Sequence, residues 1–205
     1  MKSLSLFYKP LFLLLLYFFS WEGLAQQTTE TARFEIVVLG IEIGQMTAQK
    51  VAFKDSLAYK VDSQVSFWFF GDVDLRLNNR AHLVEGKITR TYSDSKTNRG
   101  NFASKIIWNG IHYTVDATSY KYSNRSPLSG PLSWCGTKMF FHEPSGNEMF
   151  LSEVYGLASP IKKIGTNIYE INLNGNTTQY HYKAGKLEKI VVESTIKDYQ
   201  VRRIQ

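Results

Sequence analysis

Residues 57–70 set Leu57, Tyr59, Val61, Val65, Phe67 and Phe69 on one parity and Lys60, Asp62, Gln64 and Ser66 on the other. A period of two is the signature of a strand with one buried face, and a helix cannot sort these residues that way. The alternation recurs over 34–38, 102–108, 111–115, 169–173 and 178–182. Asn109-Gly110 and Asn174-Gly175 each separate two such runs, and Asn-Gly is the strongest short hairpin signal because a type I′ turn needs positive φ at both central residues. Gly40, Glu85-Gly86 and Ala184-Gly185 mark further turns. Helical patterns of the length a parallel crossover requires are missing between the runs, which excludes a βαβ plan. The expected fold is mainly β: a single curled antiparallel meander sheet, or an open barrel, of about eight to eleven strands, with one short helix packed on it.

That helix is read over residues 131–141, where Leu132, Cys135, Met139 and Phe140 recur at helical spacing. Ser129 or Gly130 can cap it and Pro131 suits a first turn, whereas Gly136 weakens it. Pro127 and the Pro144-Ser145-Gly146 turn bound the segment.

The N-terminus carries an address. Lys2 and Lys9 precede the apolar run 11–19, and Gly23-Leu24-Ala25 supplies small residues before Gln26-Gln27. This pattern predicts a signal peptide over residues 1–25 and one β domain over 26–205, exported to the periplasm or secreted. About 180 residues then remain, enough for one sizeable core. No cysteine follows the predicted cut to accept a lipid, and the lone Cys135 excludes an internal disulfide. The formal net charge of +6 falls by one with the leader, which holds Lys2, Lys9 and Glu22. Basic residues are scattered singly or in pairs such as Lys162-Lys163 and Arg202-Arg203, so no nucleic-acid partner is expected. The aromatic content suits a packed β core or an apolar ligand cavity.

Candidates for chemistry are few. His142-Glu143 with Ser152-Glu153 could form an acid–base group, yet a second histidine at metalloprotease spacing is missing. Glu143-Pro144 reads more simply as a helix end, with the carboxylate paired to a strand Lys or Arg. Cys135 reads as a buried core thiol rather than a nucleophile paired with His142. His112 and His181 sit between apolar neighbours and are expected on the solvent face. No nucleophile elbow, phosphate loop or zinc spacing occurs, so no catalytic residue, metal or cofactor is assigned.

The order Gly40-Ile41-Glu42-Ile43-Gly44-Gln45-Met46-Thr47, Trp108-Asn109-Gly110-Ile111-His112-Tyr113, Met139-Phe140-Phe141-His142-Glu143-Pro144-Ser145-Gly146, Phe150-Leu151-Ser152-Glu153 and Tyr180-His181-Tyr182-Lys183-Ala184-Gly185-Lys186-Leu187 resembles an exported family, domain of unknown function 6134. The resemblance implies a boundary and an address, not a mechanism. The strand plan is also similar, more loosely, to the open, helix-plugged β barrels of periplasmic lipoprotein carriers. The function expected is an envelope protein that is not an enzyme and holds an apolar or acyl ligand in the curled sheet. Phe67, Trp68, Phe69, Leu132, Trp134, Met139 and Phe140 are its expected wall or plug residues, with the helix either a permanent plug or a mobile lid over residues 57–70. The alternatives are an interaction module for an envelope protein or glycan partner, and a hydrolase built on His142, Glu143 and Glu153.

Overall fold

The computed structural model describes residues 27–67, 73–97, 100–119, 122–193 and 198–204. The leader and its predicted cleavage point lie outside these residues. The chain runs β1 (Thr28–Val38), β2 (Ile41–Ala52), β3 (Ser56–Phe67), β4 (Val73–Val84), β5 (Lys87–Thr97), β6 (Phe102–Trp108), β7 (His112–Ser119), β8 (Tyr122–Asn124) and β9 (Leu128–Ser129). It continues through β10 (Trp134–Cys135), α1 (Gly136–Met139), β11 (Met149–Leu151), β12 (Ala158–Pro160) and β13 (Lys162–Gly165). It ends in β14 (Ile168–Leu173), β15 (Asn176–Lys183), β16 (Lys186–Glu193) and β17 (Tyr199–Arg203).

A 14-stranded sheet takes the order β13-β14-β15-β16-β17-β1-β2-β3-β4-β5-β6-β7-β8, with β9 on β7. Its neighbours are all antiparallel, and it does not close into a barrel. Two meanders therefore meet at β1 and β17, where Phe34 stands opposite Arg203 and Val37 opposite Gln200. The strand count exceeds the eight to eleven expected. Short pieces such as β8, β9 and β13 carry too few residues to show a period in sequence.

The turns follow their chemistry. Leu39-Gly40, Glu85-Gly86, Asn174-Gly175 and Ala184-Gly185 all have positive φ at both positions, as type I′ hairpins require. At Asn109-Gly110 only Gly110 does, because the Asn109 side-chain oxygen accepts the N–H groups of Ile111 and His112 and builds an Asx turn instead.

Residues 130–161 form a plug that lies on the inner face of the sheet and holds a separate 3-stranded sheet, β10-β11-β12. Here the helix expectation is corrected. Only Gly136–Met139 is helical, and Trp134-Cys135 instead pair in parallel with Phe150-Leu151. The tertiary bonds of residue 132 explain this: the Leu132 carbonyl accepts the Ile88 N–H at 2.8 Å, and the Leu132 N–H donates to the Tyr113 hydroxyl at 2.9 Å. Those bonds hold the segment extended against its helical periodicity. The core divides in two along the inner face. One cluster gathers Phe34, Val61, Met139, Phe140, Tyr169 and Leu187, the other Tyr59, Ile88, Ile106, Tyr113, Cys135 and Leu151.

Candidate functional site

The register between strands decides what the inner face presents. One row reads Tyr59, Ala81, Thr91, Ile106 and Val115 across β3–β7, and every member is buried. The next reads Val61, Asn79, Ser93, Ser104 and Ala117. It carries hydroxyls where a filled core would carry carbon, with the Ser93 hydroxyl donating to Asn79 at 2.5 Å. Thr91 Oγ1 and Ser104 Oγ are buried with no hydrogen-bond partner. The third row reads Ser63, Leu77, Ser95, Phe102 and Ser119, and beyond it Leu75 stands opposite Val65. Here Leu75, Leu77 and Phe102 face inward and are only partly buried, Leu75 packing against one core cluster and Phe102 against the other, while Ser63 is buried. The first row is the more completely sealed.

The plug is fastened by tyrosines reaching in from the sheet. Tyr182 donates its hydroxyl to the Met139 carbonyl at 2.7 Å, with the His142 carbonyl at 3.1 Å. Tyr113 donates to the Ile88 carbonyl at 2.9 Å while accepting from Leu132. Tyr122 and Asn124 bind the carbonyl of Tyr155. Inside the plug the buried Glu153 carboxylate accepts the N–H of Gly136 at 2.9 Å and of Thr137 at 2.7 Å. Two backbone donors offset the cost of taking that carboxylate out of water.

The expected ligand residues fall in different places. Trp68 and Phe69 lie outside the described residues, as does the side chain of Phe67. Met139 is fully buried, and Phe140 packs edge-on against Phe34 with ring centroids 5.1 Å apart. Met139 and Phe140 thus pack into the same buried cluster as Phe34 of β1 and Val61 of β3. Leu132 and Trp134 are half-buried at its margin, with the Lys138 ammonium 4.2 Å from the Trp134 ring.

The His142, Glu143 and Glu153 group does not share hydrogen bonds. His142 Nε2 meets the Tyr59 hydroxyl at 2.9 Å, and Glu143 accepts from the Tyr169 hydroxyl at 2.9 Å rather than pairing with a strand Lys or Arg. Burial, with Lys50 and Lys138 adding to it, pushes the His142 imidazole below its ordinary value. Burial and the Glu143 carboxylate push the Tyr169 hydroxyl up to about 12. Burial, reinforced by the neighbouring Glu153 charge, drives the Cys135 thiol well above its ordinary value, so it is a neutral thiol at pH 7. His181 lies in the outward row with Lys189 and Arg202, as expected, but is half-buried there, with its Nε2 buried and without a partner. No group of three metal-ligating side chains occurs among the described residues.

Sequence reasoning missed a second concavity on the outer face. A groove of about 540 Å³ crosses β2–β5, lined by Gln49, Lys60, Arg80, His82, Arg90 and Tyr92. Its geometry depends on a bulge. Val84 pairs with Lys87 and Leu83 with Ile88, but the register then shifts, so that His82 pairs with Arg90 and Arg80 with Tyr92. Without the extra residue Thr89, Arg90 would stand opposite the inward-facing Ala81. Thr89 is locked there, its hydroxyl donating to the His82 carbonyl at 3.0 Å and lying 3.0 Å from His82 Nδ1.

These features define a class: an open, curled antiparallel sheet built from two meanders, its concave face plugged by the segment that joins them. The chain belongs to the family described as Domain of unknown function (DUF6134), which matches residues 34–204. Among solved structures it is similar to the beta-barrel-like protein of domain of unknown function DUF1849 from Brucella abortus, with a TM-score of 0.51 at 7% identity. That likeness covers 88% of this chain and 98% of the other, and it is a likeness of fold. No curated protein matches.

Proposed function

We propose that this chain is an exported binding protein, not an enzyme, that holds an apolar or acyl ligand on the less completely sealed part of its concave face. The supporting observation is the third inward row, where Leu75, Leu77 and Phe102 are only partly buried although they share a face with the fully buried core and Leu75 and Phe102 pack against it. Ser95 and Ser119 interleave with them, so the surface offers hydroxyls to the polar end of an amphipathic chain. Export places such a protein where acyl chains need carrying or sequestering. The plug is part of the wall, and the ligand lies beside it rather than beneath it.

Titration of the mature chain with a fluorescent fatty acid tests the reading. Saturable micromolar binding is expected, weakened at least about tenfold by Leu77→Glu, with Leu77→Ala as the milder variant that separates loss of binding from loss of stability at this partly buried position. Met139→Trp, which overfills the sealed cluster, should lower stability and leave affinity unchanged in the folded fraction. Absence of saturable binding, or equal affinity in Leu77→Glu, would overturn the proposal.

A further inference from the structure

The outer groove is lined mainly by outward side chains, with Tyr59 and Ala81 of the inward row also contributing. Its floor is apolar where Val51 and Ala58 meet, and its walls are polar. The row Gln49, Lys60, Arg80, Tyr92, Lys105 and the row Val51, Ala58, His82, Arg90 run side by side across adjacent strands. Arg80 and Arg90 are therefore diagonal neighbours, a separation of about 7–8 Å that a small ligand group can span. Lys60 is already paired with Asp62 at 2.6 Å. Among the described residues no carboxylate lies within 4.0 Å of Arg80 or Arg90, and both side chains are exposed. Asp62 and Asp94 are diagonal neighbours of Arg80 in the adjoining row but form no ion pair with it, so both guanidinium groups stand hydrated and open to an anionic ligand.

The remaining lining narrows the ligand. Tyr92 presents a ring 40% exposed beside the two guanidinium groups, a platform for a flat apolar surface rather than for a bare anion. Thr89 spends its hydroxyl proton on the His82 carbonyl, so His82 Nδ1 must be the donor in the Thr89 contact, leaving Nε2 of the neutral ring as an acceptor. Gln49 adds an amide that both donates and accepts. Positive charge, an aromatic platform and neutral hydrogen-bonding groups together match a ring that bears a carboxylate and hydroxyls. The volume, about 540 Å³, is that of a small-ligand site and holds two or three such units.

We propose that this groove binds an acidic saccharide of the uronic-acid type, with the carboxylate between Arg80 and Arg90, the ring face on Tyr92 and the hydroxyls toward His82 and Gln49. The bidentate fork of arginine suits a carboxylate, and the bulge at Thr89 is what brings the second fork to this face.

Calorimetric titration of the mature chain with a galacturonate trimer tests it, with a neutral galactose trimer and inorganic phosphate as comparison probes. The galacturonate trimer should bind saturably, and Arg80→Gln, Arg90→Gln and Tyr92→Ala should each weaken it about tenfold while thermal unfolding stays at the parent temperature. Lys186→Gln, which removes one charge from the distant β15–β16 turn, should leave binding unchanged. Failure of the galacturonate trimer to bind saturably would overturn the proposal, as would equal binding by the arginine variants or equal loss in Lys186→Gln. Phosphate binding as tight as the trimer would show a bare oxyanion site and overturn the saccharide assignment, and equal affinity for the neutral trimer would overturn the role of charge. Because the fatty-acid probe reports the opposite face, failure of either proposal leaves the other standing.

Discussion

At the scale of single residues, Glu153 shows how a catalytic-looking side chain becomes architectural. Its carboxylate is enclosed by the plug and consumed by two backbone N–H groups at the start of α1. Gly136 makes the approach possible, since a Cβ there would stand 3.0 Å from Glu153 Oε2. Glu153→Gln would turn an amide donor toward one of the two N–H groups, and a loss of about 2–3 kcal/mol in chemical denaturation is expected from a charged hydrogen bond replaced by two facing donors. An unchanged midpoint would show that the carboxylate is not needed for the fold. Sequence pairs Glu153 with Ser152 and sets both near His142 in order, which suggests acid–base chemistry. The acceptor role was illegible because its partners are main-chain groups, identical in every residue. The Cys135 thiol was legible as a buried group because the residues around it are apolar at every relevant spacing.

Among elements, the plug and the turns differ in how local their causes are. Four hairpins were readable because a glycine at positive φ is dictated by its own backbone. The helix was overread: residues 131–135 repeat with a helical period but are held extended by Ile88 and Tyr113, which lie 44 and 19 positions from Leu132. The tyrosines that fasten the plug predict its mechanics. Tyr182→Phe deletes the bond to the Met139 carbonyl and keeps the buried ring, so stability should fall by about 1 kcal/mol. Amide exchange should quicken at Phe141 and His142, whose N–H groups bind the Lys138 carbonyl, more than in β15 itself. Equal protection of those amides in the variant would show that apolar packing alone retains the plug. The groove was illegible for a different reason. Arg80 and Arg90 reach one face only through the register shift at Thr89, and the Glu85-Gly86 turn, which sequence did reveal, predicts the opposite face for Arg90 when strict pairing is assumed.

On the scale of the whole molecule, an open sheet has two edges to protect. At one end β8 is three residues long and is covered by the chain at Tyr155 and Gly156. At the other, β13 is four residues long, carries exposed Lys162 and Lys163, and loses register before Gly165. Charge and irregularity discourage edge-to-edge pairing. Replacing both lysines, as Lys162→Val with Lys163→Thr, should promote concentration-dependent association in light scattering relative to the parent chain. Behaviour identical to the parent would assign edge protection elsewhere. The meeting of β1 and β17 has a consequence of another kind. Each meander pairs strands that follow one another, contacts a growing chain can make as it lengthens. The seam between them joins Phe34 to Arg203, and Arg203 closes it by donating to the Leu187 carbonyl at 2.7 Å and lying 5.1 Å from the Phe34 ring. A nascent chain that has not yet released β17 holds two unfinished curls with their raw edges turned to water. Completion waits for β17 to emerge, and the two meanders then join at the centre of the sheet in one late step.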